Sequence, residues 1–158
     1  MTKPSVYIET TVIGHLAARL HPDPVVAGRQ LVTREWWKSA PDRFRLIVSQ
    51  LVAEECAAGG AQAAAERVAF LGSLEFVQAS ADTELLAAQL HSSSAIPSSE
   101  PRDAFHISIA ATNGIEYLVT WNLKHIANAM TRGLIEQTCR EFGYEPPRIC
   151  TPDELLGA

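Results

Sequence analysis

Short apolar runs alternate with longer amphipathic segments along the chain. The apolar runs are rich in β-branched residues and end at polar residues, which is typical of buried strands. The longer segments carry apolar residues at helical spacing and are bounded by Gly, Pro, Asn or Asp. This pattern predicts strands at residues 5–8, 44–49, 74–78, 117–120 and 148–150.

Helices are predicted between these strands. Their ranges are 12–20, 25–39, 50–58, 61–71, 82–92, 101–112 and 131–142, with further helices from about 123 and, as a capped terminal segment, from 151. The second helix is expected to end before Pro41, Asp82 is a candidate helix cap, and residues 92–99 are expected to be flexible. Strands that alternate with helices predict an α/β fold, in which helices cover both faces of a central parallel sheet of about five strands.

The composition is that of a protein with a substantial hydrophobic core. The chain has 158 residues, of which 47% are hydrophobic and 20% charged, and this length fits a single domain spanning 1–158. No apolar run reaches the length that crosses a membrane. Glu9 interrupts the first apolar stretch, which argues against a secretory signal. We therefore expect a cytosolic protein.

Three cysteines lie far apart, at Cys56, Cys139 and Cys150. An odd number of cysteines without a C-x-x-C pair argues against a disulfide framework and against a zinc site. We expect reduced thiols that are mostly buried.

The formal net charge is −5 and the pI is about 5.5. Proteins that hold nucleic acid by phosphate neutralisation alone are usually basic, so simple electrostatic binding of nucleic acid is disfavoured. An acidic chain is compatible with a site in which carboxylates bind a divalent cation, and with a basic protein partner.

Polar side chains stand where predicted strands end or helices begin. Glu9 directly follows the first strand, Glu54 and Glu55 follow the second, Asp103 lies in a first helical turn, and Asn122 follows the fourth strand. The carboxyl ends of parallel strands meet at one edge of a sheet, and ligands bind there. Clustered carboxylates require a compensating cation, and oxygen ligands suit Mg²⁺ or Mn²⁺.

Each of these residues also has a structural interpretation. Glu9 could be a solvated turn residue, and Asp103 would favour the helix dipole without any ligand. Asn122 is a common cap or turn former. On an amphipathic helix, at least one of Glu54 and Glu55 is expected to face water.

Four segments together resemble the motifs of PIN domains, in the right order along nearly the whole chain. They are VYIETTVI at 6–13, VSQLVAEE at 48–55, DAFHISIAA at 103–111 and LVTWN at 118–122. The spacing from Ser49 and Gly59 makes Glu55 the counterpart of the second acid. Residues 121–128 and 149–155 are similar to a branch of VapC-like toxins. In two places the chain departs from the pattern: Glu9 replaces the usual Asp, and Asn122 replaces the fourth acid.

The resemblance implies a three-layer α/β/α PIN-like fold and a Mg²⁺- or Mn²⁺-dependent endoribonuclease that cleaves RNA. The implied metal ligands are Glu9, Glu55, Asp103 and, through water, Asn122, while the hydroxyls of Thr11 and Thr120 would orient ligands or a phosphate oxygen. One metal ion is expected, and a second could enter with the substrate. A VapB-like antitoxin and a homodimer are the implied protein partners.

Several other residues invite functional interpretations. His106 lies one helical turn from Asp103, and we expect it to be a hydrogen-bonded packing residue. His125 is expected on a solvated surface, and Trp36 and Trp37 in the core and at a partner surface. Scattered arginines could steer RNA, namely Arg29, Arg34, Arg43, Arg45 and Arg102.

Two other classes of protein share some of these features. A noncatalytic PIN-like module would bind RNA or protein through a decayed metal site, with Asn122 marking the decay. A receiver-type phosphoacceptor domain also clusters acids at strand ends. That class requires adjacent acids after the first strand and a lysine after the last, which 20–24 and 148–151 do not provide.

Overall fold

The computed structural model describes residues 2–157, which contain a five-stranded sheet. The strands are β1 (Ser5–Ile8), β2 (Arg45–Ser49), β3 (Glu75–Val77), β4 (Tyr117–Val119) and β5 (Arg148–Cys150). All neighbouring pairs are parallel, and the strand order is β3-β2-β1-β4-β5. The predicted strands are confirmed, with ends that differ by one residue at most.

Seven α-helices and one 3-10 helix lie within the described residues 2–157. They are α1 (Thr10–Ala17), α2 (Pro24–Arg43), α3 (Gln50–Cys56), α4 (Ala61–Ala69), α5 (Ala81–Ser92), α6 (Pro101–Thr112), α7 (Ala129–Glu141) and the 3-10 helix Pro152–Leu155. Contacts group α1 with α2, α3 and α4, and α5 with α6 and α7. The predicted α/β fold with helices flanking a parallel sheet is confirmed and is consistent with a PIN-like three-layer α/β/α architecture. In the part of the chain described, no helix is long and apolar enough to cross a membrane.

Strand β1 lies at the centre of the sheet and has no exposed surface on its apolar side chains. Val6, Tyr7 and Ile8 are each 0% exposed, as expected for a parallel strand covered on both faces. β1 pairs with β2 on one side and β4 on the other, and the Glu9 amide continues the ladder by donating to the Val119 carbonyl at 3.1 Å. The residue after β1 therefore lies between the ends of two neighbouring strands.

Helix α2 continues through Pro41 to Arg43, so the prediction that it ends before Pro41 is wrong. A proline near the end of a helix removes only one backbone donor. Burial of Trp36 and Ala40, both 0% exposed, anchors the last turns in the core. The Phe44 amide closes the helix by donating to the Ala40 carbonyl at 2.8 Å.

Residues 123–127 form turns, so the helix predicted from about 123 is wrong. The Asn122 side chain accepts from the His125 amide, and the Asn122 carbonyl accepts from the amides of Ile126 and Ala127. These bonds hold a compact turn, and the helix starts only after Asn128, whose side chain accepts from the Met130 amide. No helix forms at 123–127 because a side-chain acceptor competes locally with helical bonding, whereas the separate helix predicted at 131–142 corresponds to α7.

Two further local expectations are corrected. The cap of α5 is Ser80 and not Asp82, since Ser80 and Thr83 form a reciprocal capping box. The segment 92–99, expected to be flexible, packs into the core through Ala95 and Ile96, which are 1% and 0% exposed.

Candidate metal centre

Four elements bring polar side chains together at the carboxyl edge of the sheet. Glu9 connects β1 to α1, and Glu55 lies on α3, the helix that follows β2 directly. Thr120 and Asn122 follow β4, and Asp103 lies in the first turn of α6. The parallel strand order explains why residues far apart in the chain meet here.

Glu9 is a buried carboxylate with three hydrogen-bond donors. Its Oε1 accepts from the hydroxyls of Thr11 at 2.5 Å and Thr120 at 2.6 Å, and its Oε2 accepts from the Thr11 amide at 3.2 Å. Only 4% of Glu9 is exposed, and a carboxylate at that depth requires such partners. The Trp121 amide donates to the Thr11 hydroxyl at 2.9 Å, which ties the end of β4 to the same network. Thr11 and Thr120 therefore orient the Glu9 carboxylate.

Glu55 presents its two carboxylate oxygens to different surroundings. Its Oε1 accepts from the Thr10 hydroxyl and from His106 Nε2, each at 2.6 Å, while its Oε2 lies 3.9 Å from the Arg102 guanidinium. Burial by itself would raise the pKa of Glu55, but the hydrogen bonds from His106 and Thr10 and the Arg102 charge outweigh it and hold that pKa below its ordinary value. The neighbouring Glu54 is exposed to solvent.

For Asp103, the effects that raise the pKa outweigh those that lower it. Burial raises its pKa above the ordinary value, the Asn122 amide opposes the rise, and the negative charges of Glu100 and Glu9 add to it. The position near a helix N-terminus, which favours ionisation, does not outweigh these effects. A cation bound beside Asp103 would remove the repulsion.

The acidic residues divide into two groups within residues 2–157. Ligand atoms of Glu9, Glu55 and His106 lie within 4.8 Å of one another, and so do those of Glu100, Asp103 and His125. Asp103 therefore does not share one such group with Glu9 and Glu55. Glu100 was not predicted to belong to the site, and His106 was predicted to be a hydrogen-bonded packing residue. The spacing of three positions between Asp103 and His106, on one helix face, was the available signal.

Asn122 uses its side-chain oxygen inside the protein. The Oδ1 atom accepts from the His125 amide at 3.0 Å, and the Asn122 amide donates to the Thr120 hydroxyl at 2.9 Å. The side-chain amide group faces Asp103 and lowers its pKa. The Asn122 side chain thus holds the turn after β4 and contacts an acid.

The donor set fits a divalent cation. Carboxylate oxygens are the ligands that Mg²⁺ and Mn²⁺ prefer, and the cluster carries more negative than positive charge at close range. Glu55 Oε2 has Arg102, 3.9 Å away, as its only ion-pair partner among the described residues. Nearby imidazole nitrogens favour Mn²⁺ over Mg²⁺ where they are used as ligands.

The sequence matches no protein-family model and no curated protein. The fold is similar to that of a chain in the crystal structure of VapBC2 from Rickettsia felis bound to a DNA fragment from their promoter, with a TM-score of 0.53. The two folds match along almost the whole of both chains. The similarity covers 92% of this chain and 98% of that one at 17% sequence identity, so it shows the fold alone.

Proposed function

We propose that this chain is a metal-dependent endoribonuclease that hydrolyses RNA phosphodiester bonds, acting as the toxin of a VapBC-type toxin–antitoxin pair. One observation carries the proposal. The carboxylates of Glu9 and Glu55 converge at the carboxyl edge of a parallel sheet, in a fold similar to that of a VapBC2 chain. The PIN-like sequence motifs also support this function, because Glu9 and Glu55 occupy the acidic positions of two of those motifs.

Glu9, Glu55 and Asp103 would hold Mg²⁺ or Mn²⁺ in this proposal, with Asn122 acting through water. When bound, the ion supplies an activated water and neutralises charge that builds up on the phosphate. The chain's own contribution is orientation. Thr11 and Thr120 fix the Glu9 carboxylate, and Thr10 fixes that of Glu55.

Arg102 is the residue best placed to contact an RNA phosphate. Its side chain is 71% exposed, and its guanidinium already lies beside Glu55. A bound cation would displace the guanidinium from the carboxylate, leaving it free to pair with a phosphate oxygen. This positive charge at the site would attract a phosphate locally, although the chain as a whole carries a net charge of −5.

The same proposal includes a VapB-like antitoxin, a homodimer and a cytosolic location. The similar structure is that of a VapBC2 complex, which supports an antitoxin partner. Large apolar side chains are exposed on α2 and α7, including Val25 at 62% and Met130 at 94%, and such residues suit protein contacts.

A pair of neighbouring residues tests the proposed activity. Glu55→Gln should lower Mn²⁺-dependent cleavage of a labelled single-stranded RNA by about 100-fold or more, because it replaces a metal-binding carboxylate. Glu54→Gln is the matched control, since it makes the same charge change at an exposed position of the same helix, and it should cleave like the wild type. Equal activity of the two variants would contradict the assignment of Glu55.

A noncatalytic module is the second candidate function, favoured by Asn122 in place of an acid with its oxygen engaged by His125. Assays of the wild-type protein distinguish the enzyme from the noncatalytic module. Cleavage that appears with Mn²⁺ and disappears with EDTA supports the enzyme. A protein that shows neither cleavage nor stabilisation by Mn²⁺ or Mg²⁺ would support the module.

A further inference from the structure

A chain of buried hydrogen bonds runs from the core to one oxygen of Glu55. The Ser49 hydroxyl lies 2.8 Å from the Tyr7 hydroxyl, which lies 2.7 Å from His106 Nδ1, and His106 Nε2 lies 2.6 Å from Glu55 Oε1. Ser49 and His106 are 1% exposed and Tyr7 is 0% exposed. This series of hydrogen bonds joins β1, β2, α3 and α6, which are elements that lie around the carboxylates.

The Glu55 carboxylate fixes the direction of one of these bonds. A carboxylate oxygen only accepts, so His106 Nε2 carries a proton and donates to Glu55. In a ring that carries a proton on Nε2 alone, Nδ1 accepts from the Tyr7 hydroxyl, and the Tyr7 oxygen accepts from Ser49. The Ser49 oxygen in turn accepts from the Val52 amide at 3.4 Å. Each of these groups has a partner in this arrangement, which is the usual condition of buried polar groups.

As a consequence, the two carboxylate oxygens of Glu55 have different hydrogen-bond partners. Oε1 receives two donors, from Thr10 and His106, while Oε2 receives no hydrogen bond from the described residues and faces the Arg102 guanidinium at 3.9 Å. Two donors on one oxygen hold the plane of the carboxylate and leave the other oxygen available to a cation. Hydrogen-bonded partners of ligands serve this purpose in metal sites.

We propose that His106, held by Tyr7, is a positioning residue that turns Glu55 Oε2 toward the cation. This inference rests on the proposed metal-dependent function. His106 acts through Glu55 and not on the substrate. It extends the expectation that His106 is a hydrogen-bonded packing residue, because it gives that hydrogen bond a role. An apolar side chain of similar size would pack in the same space but could not donate to Glu55.

The position of the imidazole proton is the first test, and it needs no activity. Nitrogen NMR of the histidine rings in the metal-free protein distinguishes a ring protonated on Nε2 from one protonated on Nδ1. We expect His106 to carry a proton on Nε2 before and after addition of Mg²⁺. A ring protonated on Nδ1 alone would overturn the proposal, because Nε2 could not then donate to Glu55. Loss of the Nε2 proton on addition of Mg²⁺ would also overturn it, because His106 would then be a ligand itself.

Two substitutions at one position provide the second test. His106→Gln keeps an amide donor near the place of Nε2, whereas His106→Leu keeps the bulk and removes the donor. We expect His106→Leu to weaken Mn²⁺ binding, measured by electron paramagnetic resonance, by about 10- to 100-fold, and His106→Gln to restore most of the affinity. Equal affinities of the two variants would show that His106 only fills space.

Tyr7→Phe keeps the test usable if the His106 variants do not fold, since it removes one oxygen and keeps the ring. It should allow the Nδ1–H tautomer to appear and weaken Mn²⁺ binding by about 3- to 10-fold, because the ring loses its fixed partner. An unchanged tautomer and unchanged affinity would overturn the role of Tyr7. Failure of the wild type to bind Mn²⁺ would instead refute the proposed function, while the tautomer of His106 would still report on the hydrogen-bond chain.

Discussion

At the scale of single residues, the charge balance of the site depends on position 122. Asn122 offers an amide donor to Asp103 where the related motif has an acid, and its oxygen holds the following turn. The side chain therefore stabilises the protein in the absence of a metal, but it places a neutral amide where the motif has a charged ligand. Asp103 still has a raised pKa, caused first by burial and then by Glu100 and Glu9.

Replacement of Asn122 by Asp should lower the stability of the metal-free protein and raise its affinity for a cation. The new carboxylate can still accept from the His125 amide, but it repels Asp103, so the metal-free protein should lose about 1–3 kcal/mol in the free energy of unfolding. Mn²⁺ affinity should increase by about 10-fold, since the cation gains a charged ligand. Urea unfolding with and without Mn²⁺ measures both effects. Asn128→Asp is the control, because Asn and Asp are equivalent helix caps; a similar response of both variants would contradict this account.

The sequence identified the acids more readily than their partners. Glu9 and Glu55 stand at strand and helix ends, where a general rule for parallel sheets places ligands. The contact between Glu55 and His106 joins residues 51 positions apart, and its geometry depends on how α3 and α6 pack. No local pattern encodes that distance, so a packing role was the reasonable expectation for His106.

At the scale of elements, strands were predicted better than helix ends. A buried strand such as β1 is a short run of apolar residues whose limits are visible in the sequence. The end of a helix is decided by competing hydrogen bonds of similar strength, as in the turn after Asn122 and in the last turn of α2 around Pro41. Such competition is resolved by packing, which the sequence pattern does not show.

The cap of α5 provides a prediction at this scale. Ser80→Ala should lower the free energy of unfolding by about 1 kcal/mol, because the Ser80 side chain accepts from the Thr83 amide at 3.3 Å. Asp82→Ala should cost less, about 0.3–1 kcal/mol, since Asp82 interacts with the helix dipole and does not cap. Urea unfolding of both variants measures the difference. A larger loss for Asp82→Ala would support the original interpretation of Asp82 as the cap.

At the scale of the whole molecule, strand order creates the site. The alternation of strands and helices predicted a parallel sheet, but it did not specify that β1 lies between β2 and β4. That order places Glu9 between the helix after β2 and the turn after β4. Convergence of the acids is therefore a property of the complete sheet, and binding of a cation should be coupled to folding of the entire chain.

Buried thiols allow this coupling to be measured. Cys139 and Cys150 lie on α7 and β5 and are buried and free, as the cysteine pattern predicted. Burial raises the pKa of the Cys139 thiol to about 11 and that of the Cys150 thiol to about 12. Below those pH values the reactive thiolate is scarce, and burial blocks access to it. At pH 8, labelling of either cysteine should therefore require unfolding.

Magnesium should slow the labelling of both cysteines by the same factor, although both lie outside the proposed ligand set. An ion that binds only the folded state at about 100 times its dissociation constant adds about 2.7 kcal/mol, which corresponds to about 100-fold slower labelling through global opening. Mass spectrometry of the labelled protein at pH 8 measures each cysteine separately, with NaCl at matched ionic strength as the control. Glu55→Gln should lose most of the magnesium effect, because the ion would lack a carboxylate ligand. Slowing of only one cysteine would instead indicate a local effect of the ion, and no slowing at all would mean that the folded carboxylate cluster does not hold magnesium.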